Sequence, residues 1–87
     1  MIDVLTTKDF DKSFKKKDKF IQEKARERIR IFREDPFNIL LNNHALAGKY
    51  KNERSLNVTG DYRIIFYFVN ANLACLVDIG THPELYR

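Results

Sequence analysis

Residues 61–69, DYRIIFYFV, constrain this chain more than any other stretch. Tyr62, Ile64, Phe66 and Phe68 share one parity, and Arg63, Ile65, Tyr67 and Val69 share the other. A strand here is therefore apolar on both faces over most of its length. Such a strand calls for cover on both sides, which puts it at the centre of a sheet. Arg63 is the exception: it sits near the strand start beside Asp61, where a guanidinium can leave the core and face a groove.

The rest of the chain is read around that strand. With 87 residues it forms one domain, 1–87, and its core is small because a chain of this length buries only about 60% of its unfolded surface. Sixteen Lys and Arg against twelve Asp and Glu leave a formal charge of +4, which favours a polyanionic partner. The lone Cys75 lies in an apolar run, allows no internal disulfide and argues against a cysteine-based metal site. The start, MIDVLTTKDF, has no long apolar run behind a basic stretch, and no segment approaches membrane-spanning length. The expectation is a soluble, cytoplasmic protein that needs no cofactor and has no membrane partner.

Taken in order, residues 2–5 form a short apolar run suited to a first strand, and Thr6 or Thr7 can cap the helix that follows. Phe10 and Phe14 make its apolar stripe, and Lys15, Lys16 and Lys17 lead to a break. Asp18 then caps a longer helix with Ile21, Ala25, Ile29 and Phe32 on one face, which must end near Asp35 because Pro36 follows. Residues 36–43 read as a connection anchored by Phe37, Ile39, Leu40 and Leu41. Gly48 permits a bend within 44–50. Residues 54–58 are a second strand, Thr59 and Gly60 turn into the central strand, 73–79 form a fourth, and 81–87 a short tail. This β-α-α-β-β-β order predicts an α+β domain: one curved, mainly antiparallel sheet with two N-terminal helices packed on it.

The segment HALAGKYKNERSLNVTGDYRIIFYF followed by VDIGTHPELYR resembles the RelE/ParE superfamily of toxins, and its YafQ-like branch in particular. The shared pattern is H-x-L-x-G-x-Y/W-K, then R-S/D, D-Y/W-R and G-T-H-x-x-L-Y/F, from His44 to Tyr86. The resemblance implies an mRNA interferase of a type II toxin–antitoxin system: a ribonuclease that cuts messenger RNA on the ribosome without a metal. A cognate antitoxin would silence it in a hetero-oligomeric complex.

Metal-free RNA cleavage can use the substrate's own 2′-hydroxyl as nucleophile. It needs a proton acceptor, a proton donor and cationic support for the phosphorane. An unperturbed pKa of about 6.5 suits histidine to both proton roles, and both histidines of the chain, His44 and His82, fall inside the motifs. Asp61 is a further base or an orienting group, and Arg63 suits the scissile phosphate because its fork matches two oxygens.

By resemblance, His44 takes the H of H-x-L-x-G, Asp61 the acidic residue opening the central strand, and His82 the H of G-T-H. Tyr86 takes the C-terminal aromatic that stacks on a base or touches the phosphate, and Arg63 the catalytic arginine of the wider group. Lys49 and Lys51 lie where that group has functional lysines. Asn57 departs from the pattern, since YafQ-like members can carry histidine there and an amide does not trade protons. Lys49, Tyr50, Lys51, Arg54, Tyr62 and Arg63 interleave cations with aromatic rings, as single-stranded RNA recognition requires.

Structural alternatives stand beside these roles. Arg63 can pair with Asp61 or Asp78, His44 can be a solvated loop residue, and Tyr86 a packing anchor. Two other functions fit the same fold: a ParE-like toxin that inhibits DNA gyrase, or an inactive binding module, the latter supported by Asn57.

Overall fold

The computed structural model describes residues 1–86. It is an α+β domain whose five strands lie in one sheet, in the order β1-β5-β4-β3-β2. The strands are β1 (Asp3–Thr6), β2 (His44–Ala45), β3 (Arg54–Asn57), β4 (Tyr62–Asn70) and β5 (Leu73–Thr81). Only the β1–β5 pair is parallel. The helices are α1 (Lys8–Lys15), α2 (Lys19–Glu34) and α3 (His82–Leu85), with single 3-10 turns at Ile39–Leu41 and Gly48–Tyr50.

Local chemistry starts and stops these elements. The Thr7 hydroxyl accepts from the Phe10 amide at 3.0 Å and donates to the Val77 carbonyl at 2.7 Å, so it caps α1 and ties it to β5. The Asp18 carboxylate accepts from the Ile21 amide at 2.9 Å and starts α2, which stops at Glu34, just ahead of Asp35 and Pro36. Thr59 organises the β3–β4 loop, its hydroxyl accepting from the Asp61 and Tyr62 amides.

The central strand divides its residues as its sequence alternation requires. Leu56, Val58, Ile64, Phe66, Ala74, Leu76 and Ile79 pack beneath Phe10, Ala25 and Phe32 of α1 and α2. Phe32 sets its ring edge-on to Phe66, with centroids 4.8 Å apart. On the opposite face Ile65 joins Tyr50 and Leu85, with Leu46 and Val77 at the margin. In β5, Leu76 pairs with Phe66 and Asp78 with Ile65, leaving Val77 unpaired in a bulge.

The structure corrects several expectations. Cover of the second face is confined to one end of β4: Ile65 is 1% exposed, whereas Tyr67 and Val69 are 39% and 49% exposed. Phe37, Ile39 and Leu40 are exposed, and Leu41 alone anchors the connection in the core. His44 and Ala45 add a fifth strand, too short to show periodicity. The expected tail is instead the end of β5 followed by α3. Thr81 and Glu84 form a reciprocal capping box, and Pro83 sits in the first turn, where its missing N–H has no partner to lose.

Candidate active site

The covered end of the sheet's second face is where the polar residues of β3 and β4 meet α3. Asn57 pairs with Arg63 across the β3–β4 ladder, and Gly80 pairs with Arg63 from β5. Arg63 Nη1 donates to the Asn57 side-chain oxygen at 2.7 Å. That partner is a neutral amide rather than Asp61 or Asp78, and no ion pair among the described residues involves Arg63. Its side chain is held without its charge being cancelled. Gly80 lets α3 fold back over this spot, since a Cβ there would stand 3.1 Å from Glu84 Oε1 and 3.5 Å from Leu85 Cδ2.

His82 is fixed by that fold-back. The Thr81 amide donates to Glu84 Oε1 at 2.8 Å, the Glu84 amide donates to Thr81 Oγ1 at 3.3 Å, and Lys17 Nζ lies 3.2 Å from the same carboxylate. The hydrogen bond from the Thr81 backbone, with help from Lys17, holds the Glu84 carboxyl below its ordinary pKa. The His82 ring stacks on Tyr86, centroids 4.5 Å apart at 24°, and Tyr86 meets Tyr50 edge-on at 5.2 Å. The Tyr50 hydroxyl donates to the Leu85 carbonyl at 2.7 Å, and Lys49 Nζ to the same oxygen at 3.1 Å. Burial, then the nearby Asp78, raises the Tyr50 pKa, so the hydroxyl stays protonated and keeps donating.

His44 approaches from the other side. Its register partner is Ser55, so the imidazole stands on the Arg63 face of the sheet. Its Nδ1 lies 2.7 Å from the Asn42 carbonyl, and Asn42 reaches that position through a left-handed backbone, φ 46° and ψ 46°. A carbonyl only accepts, so Nδ1 carries the proton and Nε2 of the neutral ring is left with a free lone pair.

These side chains converge. A cavity of about 380 Å³ is lined by Asn42, His44, Leu46, Ser55, Arg63, Ile65, His82, Leu85 and Tyr86. A second, of about 410 Å³, is lined by Gly60, Asp61, Tyr62, Arg63, Thr81, His82 and Pro83. Arg63 and His82 border both, so the two form one groove with these residues at its waist. Asp61 belongs to the second part, away from His44.

Several residues expected at an RNA surface are placed elsewhere. Arg54 pairs with Phe66 on the helix side, where its guanidinium lies 5.4 Å from the Phe37 ring and its Nε donates to Asn43 at 2.7 Å. Tyr62 packs on the main core with Lys17 over its ring at 5.8 Å; it borders the second cavity only. Tyr50 is buried and, like Lys49, is committed to the Leu85 carbonyl. Lys51 is exposed in the turn before β3 and lines neither cavity. Ser55, Asn42 and Leu46 were not singled out from sequence. For Ser55 the signal was the alternation of β3, which puts it on the same face as Asn57.

Among the described residues no group of three or more His, Cys, Asp or Glu side chains is placed to hold a metal ion, and no helix is long and apolar enough to cross a membrane.

An α+β domain of this topology, with its polar groove at the β3–β4–α3 end, has the RelE/YafQ-like toxin fold. Solved structures carry that assignment. The chain is similar to YafQ from E. coli strain BL21(DE3), at 19% identity over 100% of both chains with a TM-score of 0.77. It is also similar to a chain of the E. coli DinJ-YafQ toxin-antitoxin complex, at 22% identity over 99% of this chain and 98% of that one, TM-score 0.77. A metal-bound toxin from Helicobacter pylori is 25% identical over 99% of this chain and 100% of its own, TM-score 0.78. No family model and no curated protein matches the chain.

Proposed function

We propose that this chain is the toxin of a type II toxin–antitoxin pair and acts as a ribosome-dependent endoribonuclease on messenger RNA. The observation that carries this reading is the single cavity in which His44, Arg63, His82 and Tyr86 meet, brought there by β2, β4 and α3. A phosphodiester seated on Arg63 would have an imidazole on either side. His44 Nε2 takes the proton of the 2′-hydroxyl, and the 2′-oxygen attacks phosphorus. The bond to the 5′-oxygen breaks, and His82 supplies the proton that oxygen needs, leaving a 2′,3′-cyclic phosphate and a free 5′-hydroxyl. Arg63 stabilises the charge that builds on the non-bridging oxygens. Tyr86, stacked on His82 and 37% exposed, offers a face to an unpaired base.

This is a sparse site for positioning a flexible strand, which supports a reading in which the ribosome holds the messenger in place. The antitoxin would bind the basic surface and fold on binding.

The decisive experiment induces the wild-type chain and His82→Ala at equal expression, with primer extension on a translated messenger. Growth arrest with new cuts, both lost in His82→Ala, is expected. Removing either imidazole should slow cleavage by about 10²–10⁴-fold. Arrest without cuts would overturn the nuclease and leave a toxin that binds, as a gyrase inhibitor does. No arrest from soluble protein would leave an inactive binding module.

A further inference from the structure

Ser55 is the buried polar residue of the described core, 1% exposed, and its Oγ has no hydrogen-bond partner. Its place explains what the hydroxyl is for. Leu56 beside it points into the main core, whereas Ser55 stands on the opposite face of β3. There it pairs with His44 on one side and Ile65 on the other, and lines the cavity that holds Arg63 and His82. Asn57, two residues along the same face, holds Arg63.

A buried hydroxyl left unpaired is destabilising, and alanine in the same space would carry no such penalty. The other polar side chains that line the cavity are Asn42, His44, Arg63, His82 and Tyr86, and of these the Arg63 guanidinium can only donate. A ligand group that offers acceptors alone pairs with that guanidinium and with the Ser55 hydroxyl as donor, and an RNA phosphate is such a group.

We infer that Ser55 is a substrate-contacting residue whose Oγ–H donates to a non-bridging oxygen of the phosphate seated on Arg63. Arg63 supplies charge from one side and Ser55 a fixed neutral donor from the floor of the cavity. Both hydrogen bonds strengthen as negative charge builds on that oxygen during attack. This rests on the reading that the cavity receives a phosphodiester.

The test compares wild type, Ser55→Ala and Ser55→Thr for binding of adenosine 3′-monophosphate, for thermal melting, and for cleavage of a translated messenger on ribosomes. Ser55→Ala should bind about tenfold more weakly, as loss of one hydrogen bond to a charged group implies. It should melt at the same temperature or higher, because an unpaired buried polar atom has gone. Ser55→Thr, which keeps the hydroxyl, should bind within about twofold of wild type. Equal nucleotide affinity in Ser55→Ala, no nucleotide binding by wild type, or a clear fall in melting temperature in Ser55→Ala would each overturn the assignment. Messenger cleavage by wild type that Ser55→Ala matches would remove Ser55 while leaving the nuclease intact. Nucleotide binding that depends on Ser55, without any cleavage, would keep the contact and remove the nuclease.

Discussion

Arg63 shows how a charge is kept ready at a small site. Its partner Asn57 orients the guanidinium through a 2.7 Å hydrogen bond but carries no charge, so under the proposed function a phosphate would meet a positive charge already in position. Two substitutions separate orientation from charge. Asn57→Asp would hold the guanidinium at least as well and partly cancel it. Cleavage should fall by about tenfold or more while thermal stability holds or rises, because a hydrogen bond to a charged acceptor is stronger than one between neutral groups. Arg63→Lys keeps the charge and loses the fork, so binding to RNA should survive at low salt while turnover drops. Measuring turnover and melting together on both variants checks this. An Asn57→Asp protein with wild-type turnover would show that Arg63 is not the phosphate site.

At the scale of elements, α3 decides where His82 and Tyr86 stand, and it is held at its start by Thr81 and Glu84 and at its end by Tyr50 and Lys49. Thr81→Ala removes the cap and should cost about 1 kcal/mol. Because α3 is only four residues long, activity should suffer more than stability does. Gly80→Ala should act in the same direction by pushing Glu84 and Leu85 away from β5. The Glu84 carboxyl adds a pH dependence. Its folded-state pKa lies below the ordinary value, so its stabilising contribution is complete above the unfolded-state pKa and is lost as the pH falls through the folded one. Glu84→Gln should therefore flatten the acid side of the stability-versus-pH curve, with the two proteins converging at low pH. A melting series from pH 3 to 7 reads this directly, and parallel curves would remove Glu84 from the account.

For the molecule as a whole, the larger core and the candidate site sit on opposite faces of one sheet. The helix face carries the larger core, and Phe32, fully buried against Phe66 and Phe68, is its centre. Phe32→Ala should cost about 3–5 kcal/mol, a large share of what a domain of this size has in total, and unfold most of the protein at growth temperature. Substitutions at His44 or His82, both exposed, should slow cleavage by about 10²–10⁴-fold with little change in melting. If His82→Ala unfolded the chain as Phe32→Ala does, loss of toxicity in that variant would say nothing about catalysis.

Much of this was legible in the sequence, for identifiable reasons. A run apolar at both parities over most of its length points to a strand at the centre of a sheet, and β4 is the middle strand of the five, although its second face is covered only around Ile65. Asp18 and Pro36 bracket α2 because capping and the restriction before proline are local effects. Of the five catalytic candidates that the resemblance implied, His44, Arg63, His82 and Tyr86 line one cavity and Asp61 lines the adjoining one. Other features depended on packing. Arg54 and Tyr62 interleave with the site residues along the chain, yet strand alternation turns them to the helix side, since a one-residue step reverses the face. Whether a tyrosine in sequence serves a ligand or its own fold is settled by the carbonyl it finds, and Tyr50 finds that of Leu85, 35 residues away. The unpaired hydroxyl of Ser55 exists only once β2, β3 and α3 close around it. What a chain decides alone is what neighbouring residues impose on one another; what tertiary structure decides is which distant groups share a cavity and which polar atoms are left there without a partner.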